Sequence, residues 1–392
     1  MRLSTLVLTL LILSSTAGAQ SASPPPTGRS LTGLPALNFD ADEGLGYGAI
    51  LQFYDYGTGV APYRFSLQPT LFFTTKGRRD VVLFLDAPHL LPGDWRFGGS
   101  LARMQQLSTP YYGIGNATVT DSMLTKSPNP YYYRYGRTVL QANGDFQHQL
   151  GHRSVRMLAG IGSHNVVIDP VPYDSGTTLV AKQFGRAELP SRNTNYARLG
   201  LVLDTRDQEI GTHRGTWSEL LVQRAGRVAG GDEVFTRVTG SVRQFVPLGA
   251  DVTFAQRVVV QTVRGDPSFN ELFVVQSSYR DDEALGGASS IRGIPRNRYA
   301  GKGIAFSNSE LRWSAARFGL AGHDTRLVLS TFADAGRVWA SGLDLSTIAS
   351  DLHFGYGGGV HLAIGPSFVV TTDVGHSSQS TAAIYIGLGY LF

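Results

Sequence analysis

No cysteine occurs anywhere in the chain, which excludes a disulfide framework and a thiolate metal site. Long apolar runs are missing too. Beyond the first twenty residues, no stretch reaches the roughly 18 residues that a transmembrane helix requires. Charge of a single sign is also lacking. Lys+Arg number 34 against 30 Asp+Glu, a formal net of +4 that falls to +3 without Arg2, so nothing points to nucleic acid as a partner.

What is present starts at the N-terminus. In MRLSTLVLTLLILSSTAGAQ, Arg2 precedes a short apolar run from Leu6 to Leu13, and Ala17-Gly18-Ala19 is a small-residue cleavage pattern. Residues 1–19 therefore read as a secretory signal peptide. Residues 20–33 hold Ser21, Ser23 and Pro24-Pro25-Pro26, the composition of a flexible linker. The remainder, 34–392, is long enough for one large domain. With 42% hydrophobic residues, 47 Gly and 17 Tyr, it suits either a soluble β-protein or an outer-membrane barrel.

Both options use period-2 strands. In AIYIGLGYLF at the C-terminus, Ile384, Ile386, Leu388, Tyr390 and Phe392 share one face, with mostly small residues opposite. Residues 352–364 repeat the pattern: Leu352, Phe354, Tyr356, Val360, Leu362 and Ile364 alternate with His353, Gly355, Gly357, Gly359 and His361. A dry sandwich core needs bulk on its inner face, whereas a lumen tolerates small and polar residues. The expected fold is thus an all-β transmembrane antiparallel barrel of about sixteen strands. Their expected spans are near 36–41, 45–56, 63–74, 80–87, 95–106, 137–149, 154–168, 196–206, 216–225, 234–246, 251–264, 303–317, 325–339, 352–364, 367–376 and 382–392. The long connections 107–136, 169–195, 265–302 and 340–351 then fall on one side, the extracellular one, and the short turns on the other.

Several motifs carry a resemblance. SSIRGIPRNRYAGKG, 289–303, lies in the longest connection and contains Ile291-Arg292-Gly293; TFADAGR, 331–337, supplies Phe332, Asp334 and Gly336. LDTRDQEIGTHRGTW, 203–217, and YYGIGN, 111–116, add to these, as does the terminal Gly387-x-x-Tyr390-x-Phe392. Together they resemble the bacterial surface antigen superfamily, the outer-membrane barrels of BamA, TamA and the two-partner-secretion transporters. The resemblance spans about Leu34 to Phe392. It implies that the sixth extracellular loop folds into the lumen and that Arg292 meets acidic groups of the inner wall. Asp334 takes that place, with Glu310 on the neighbouring strand as a second acid. Gly387, Tyr390 and Phe392 are expected to form the signal read by the barrel assembly machinery during insertion. Ile294 departs from the pattern, standing where the family usually has Tyr or Phe at the loop tip.

A bidentate Arg292–Asp334 bond supplies charge-assisted hydrogen bonds of defined geometry, and Gly293 permits a sharp turn. Arg296, Asn297, Arg298 and Lys302 read as an exposed basic loop facing lipopolysaccharide. Asp281-Asp282-Glu283 reads as a solvated acidic rim. Tyr111, Tyr112 and Tyr131 to Tyr133 read as a membrane-interface girdle. No Gly-x-Ser-x-Gly elbow occurs, His148 and His152 lack a matching Glu pattern, and Gly44-x-Gly46-x-Gly48 leads into a strand instead of a helix. No catalytic set, cofactor or metal site is expected, and the chain reads as a non-enzyme.

By resemblance the expected role is protein insertion or translocation at the outer membrane, with a polypeptide client or periplasmic partner. The alternatives are a gated or passive pore for small solutes and a scaffold for a separate partner. About fifteen residues separate the cleavage site from the first strand. That leaves no room for the periplasmic POTRA domains of family insertases. A short first strand is expected to leave a weak seam with the last.

Overall fold

The computed structural model describes residues 27–392 apart from 41–43, 61, 127–128, 152–153, 175, 186–188, 210, 228–229, 321 and 366–367. The signal peptide, the first half of the linker (20–26) and His152 lie outside the described residues. Sixteen antiparallel strands close into a barrel. They are β1 Gly28–Asp40, β2 Gly44–Gly57, β3 Phe65–Thr74, β4 Arg78–Ala87, β5 Trp95–Pro110, β6 Arg134–Gln149, β7 Val155–Asp169 and β8 Leu189–Asp204, followed by β9 Gly215–Ala225, β10 Val234–Pro247, β11 Val252–Asp266, β12 Gly303–Leu320, β13 His323–Trp339, β14 His353–Ile364, β15 Phe368–Ser377 and β16 Ser380–Leu388. Every strand expected from the alternation is present, in the expected order.

The alternation places hydrophobicity outward. On β14, Phe354, Tyr356 and Val360 are exposed while His361 and Ala363 are buried. On β12, Leu311 and Trp313 face out beside the buried Glu310 and Arg312. Such inversion fits a hydrocarbon solvent around the barrel. Pro69 sits on the same outward face of β3 as the exposed Leu71.

The ends differ from expectation. Gly28–Gly33, read as linker, already belongs to β1, which pairs with β2 over its whole length. The last strand stops at Leu388, and Gly389 takes φ +85, so the final residues leave the sheet. Between β1 and β16, pairing among the described residues is confined to Phe39–Ile386 and Asp40–Tyr385. Among the described residues the seam is therefore short although β1 is not. The connection between β11 and β12, residues 267–302, is the sixth on the long-loop side. It carries a short helical turn, Phe269–Phe273, and a two-stranded ribbon pairing Val274–Val275 with Asp282–Glu283. It is buried along most of its length.

Candidate lumenal lock

Strands β12 and β13 pair so that Asn308 stands opposite Asp334 and Glu310 opposite Phe332. Period 2 turns all four inward, where each is at least nine-tenths buried. Residues 267–302 bring Arg292 into this group. Its Nε donates to Asp334 Oδ2 at 2.9 Å and its Nη2 to Asp334 Oδ1 at 3.0 Å, a bidentate fork. Its Nη1 donates to Glu310 Oε1 at 2.6 Å and to Asp373 Oδ2 on β15 at 3.3 Å. The Arg292 backbone N–H also reaches Asp334, at 3.1 Å. The guanidinium lies 3.4 Å from the centre of the Phe332 ring, an added cation–π contact.

Neighbouring groups hold these partners in place. Arg312 Nε donates to Glu310 at 2.8 Å, and Asn308 Nδ2 donates to Asp334 Oδ1 at 2.8 Å. Arg257 on β11 donates to Asn308 at 2.9 Å and to Asp282 of the loop at 3.1 Å. The loop tip turns at Gly293, φ +92, where a Cβ would lie 2.7 Å from the carbonyl carbon of His376. Its N–H donates to the Tyr385 hydroxyl of β16 at 3.1 Å, and its carbonyl accepts from Ser377 at 2.7 Å. On β14, a Cβ at Gly355 would lie 2.0 Å from the Arg292 carbonyl oxygen, so the bare wall there is what lets the loop dock.

Each residue expected for this site is therefore brought together with the others: Ile291, Arg292 and Gly293 on the loop, and Glu310, Phe332, Asp334 and Gly336 on the wall. Gly336 lies against Phe306 and Leu285. Where the family has an aromatic, Ile294 joins Ile291, Leu285, Tyr299, Ile304 and Phe306 in an aliphatic-rich cluster. No local motif marks Asp373, Asn308, Tyr385, Ser377 or Gly355 as part of the site. Only the strand register, absent from the sequence, brings them to the loop.

Four expectations are corrected. Arg296, Asn297 and Arg298 are buried, not exposed decoration. Arg298 donates to Thr118 Oγ1 at 2.6 Å and stacks over Tyr299 and Tyr112, because the loop rolls its polar side into the cap. Asp282 and Glu283 are not a solvated rim: they pair with Arg257 and Arg296 of the lumen and loop. Among the described residues no group of acids and histidines could hold a metal. Tyr111, Tyr132 and Tyr133 do not form an interface girdle either. They are buried over loop residues, Tyr111 beside Phe269 and Phe273. Finally, Gly387 remains in β16, but Tyr390 and Phe392 leave the outward face. They lie 4.3 and 5.1 Å under the Arg312 guanidinium.

The loop is held elsewhere too. Glu271 accepts from Arg237 at 2.9 Å and faces His164 at 3.4 Å, and its carbonyl takes a further Arg237 bond at 2.7 Å. Arg198, forked onto Asp145, donates to the Ser277 carbonyl at 3.2 Å. From the third extracellular loop, Asn116 accepts from Val338 N and donates to the Asp351 carbonyl, and the Gly115 amide donates to the Ala300 carbonyl at 2.8 Å, which holds the YYGIGN motif over residues 267–302. Ser330, His361 and Asp373 also cluster. One imidazole nitrogen, Nε2, faces both Ser330 at 3.3 Å and Asp373 at 2.8 Å, so no proton relay runs through the ring.

The comparisons agree with this architecture. The model of the Omp85 superfamily domain matches residues 70–389. No curated protein matches the sequence. Among solved structures, BamA from Haemophilus ducreyi lacking POTRA domains 1–3 is 12% identical, with a TM-score of 0.58 covering 93% of this chain and 70% of that one. CdiB from Escherichia coli is 13% identical, with a TM-score of 0.60 covering 94% of this chain and 63% of that one. CdiB from Acinetobacter baumannii is 12% identical, at 0.53, over 92% and 59%. The chain thus spans less than two thirds of either CdiB. At such identities the likeness is one of fold. With the family match covering most of the sequence, the chain belongs to the Omp85 superfamily and is a bacterial outer-membrane β-barrel.

Proposed function

We propose that this barrel inserts polypeptides into the outer membrane or translocates them across it, without enzymatic chemistry, and that residues 267–302 act as a lumenal plug released during that work. One observation carries the reading: the Arg292 lock is built from the wall that runs to the seam. Its partners lie on β12, β13 and β15, and the tip is bonded to Tyr385 on β16. Among the described residues the seam itself is short, and few ladder bonds make local opening inexpensive. Docking of the loop and closure of the seam therefore share a strand. A polypeptide client, with a periplasmic partner to deliver it, is the matching ligand class.

The absence of native cysteine permits a direct test. Phe39→Cys with Ile386→Cys, an outward-facing pair in register, should form a disulfide across the seam. In proteoliposomes given an unfolded barrel client, oxidation should stop client insertion and reduction should restore it. Insertion that is indifferent to oxidation would remove the seam from the mechanism. A second reading, a passive solute pore, draws on the charged lumen wall. It predicts a steadily open wild type in planar bilayers, unaffected by Arg292→Ala.

A further inference from the structure

The outward face near the extracellular ends of β3 to β6 carries an arginine pair that the lock does not use. Arg79 on β4 lies in register between Phe73 on β3 and Gln105 on β5. Tyr47 on β2 stacks on Phe73 with ring centres 6.0 Å apart, so this row is the aromatic level of the outer membrane interface. Arg103 projects from β5 one step lower, in register with Val81 and Leu140. Those neighbours are 51% and 60% exposed, and Leu101 beneath them is 58% exposed. Arg103 is therefore an exposed cation in the topmost apolar row.

Among the described residues no carboxylate neutralises the two guanidiniums. Asp80 points to the opposite, lumenal side, where it pairs with Arg78. The outward residues of these strand ends are Leu71, Phe73, Arg79, Val81, Arg103, Gln105, Leu107, Gly136, Thr138 and Leu140, with no acid among them. Among the described residues neither arginine makes a salt bridge. Diagonal neighbours on adjacent strands stand about 7–8 Å apart, close enough for a shared anion. A lipid-facing arginine bends its head toward the interface, which brings Arg103 up to the level of Arg79.

A shelf lies above. Tyr173 of the fourth extracellular loop is held at φ +58, a conformation uncommon for an aromatic residue. Its ring packs at a tilt against Tyr131 with centres 5.0 Å apart, and its hydroxyl lies 2.9 Å from where a Cβ on Gly77 would be. Gly77 is two residues before Arg79. Burial raises the pKa of this hydroxyl, and Arg79 is near enough to oppose the rise.

From bottom to top the surface thus offers apolar rows, a pair of arginines, and an aromatic hydroxyl shelf. We infer that Arg79 and Arg103, beneath Tyr173, bind a phosphate of a phosphorylated glycolipid in the outer leaflet. The acyl chains lie on Leu101, Val81 and Leu140, and the sugar lies against the tyrosines. Arginine forks match phosphate oxygens bidentately, and the anion relieves the repulsion between the two cations.

The test uses the refolded full chain in phosphatidylcholine vesicles containing bisphosphorylated lipid A, extracted mildly, with retained glycolipid counted by native mass spectrometry. Wild type should retain lipid A. A basic residue at a lipid surface has a modest effect, so Arg79→Gln should lower retention roughly fivefold and Arg79→Gln/Arg103→Gln about twenty-five-fold. Arg317→Gln, an exposed arginine at the opposite end of the barrel, should change nothing. Barrel folding is followed by heat-modifiable gel migration. Should the double variant not fold, the single Arg79→Gln still decides. Unchanged retention in Arg79→Gln overturns the site. So does equal retention of dephosphorylated lipid A, or of phosphatidylglycerol, which has the phosphate without the phosphorylated sugar.

Discussion

The Gly293 amide donates to the Tyr385 hydroxyl at 3.1 Å, and Tyr385 stands opposite Asp40 at the barrel seam. One hydrogen bond thus joins the tip of the lumenal loop to the strand that closes the barrel. Tyr385→Phe deletes that bond, at about 1 kcal/mol. Deuterium exchange of residues 380–388 should accelerate while exchange in β6 to β10 stays as it was. If β16 exchanges at the wild-type rate, the loop and the seam are uncoupled.

Arg292→Ala leaves Asp334, Glu310 and Asp373 without their shared cation. Removing one partner of a buried ion network costs about 3–5 kcal/mol, enough to undock the tip. Single-channel recordings should show a mostly closed wild type and a variant that opens often. Arg292→Lys keeps the charge but not the planar fork, so its openings should be intermediate.

Glu271→Gln probes the second anchor. Arg237 loses its charged partner but keeps the Glu271 carbonyl. The expected result is faster proteolysis from outside around residues 267–276, with conductance closer to wild type than in Arg292→Ala. Conductance as high as that of Arg292→Ala would make Glu271 an equal part of the lock.

Gly355→Ala inserts a methyl group where the Arg292 carbonyl lies 2.0 Å away. Overpacking of this kind costs about 1–3 kcal/mol, here levied on loop docking, because β14 can keep its ladder. The folded barrel should form and leak ions. A variant as closed as wild type would mean that the wall yields.

The periplasmic turn 205–214 gives a pH dependence. Burial, then the neighbouring Arg326, holds the His213 imidazole below its ordinary pKa of 6.5, and its Nε2 faces Arg326 Nη1 at 2.9 Å. A neutral ring accepts that bond, and a protonated one repels the arginine. Because the folded state binds fewer protons than the unfolded one, this contribution is present above about pH 6.5 and is lost as pH falls below it. Exchange of the turn amides should quicken below that pH in wild type, and His213→Gln should abolish the dependence.

Much of this architecture is legible in the sequence because a barrel in lipid writes its faces directly into period 2. The alternation in 352–364 identifies a strand and its lipid side without any partner strand being known. Arg292, Glu310 and Asp334 could be matched because each belongs to a short local motif. Arg298 and Tyr111 depart from expectation for the opposite reason. Local composition makes a basic or aromatic loop look exposed, and only the neighbouring loops that cover it decide otherwise. Tyr390 and Phe392 continue the alternation on paper, yet Gly389 at φ +85 turns them inward, and a glycine's sign of φ is not written in its type.

The sequence by itself determined an outer-membrane barrel with a basic loop able to reach an acidic wall, since alternation, loop lengths and motifs are all local properties of the chain. Tertiary structure alone decided which wall groups meet that loop. Asp373, Tyr385 and Gly355 come to Arg292 and Gly293 through strand register and barrel closure. The Gly293–Tyr385 bond joins residues 92 positions apart, and closure pairs Phe39 with Ile386 from opposite ends of the chain, distances over which no local pattern extends.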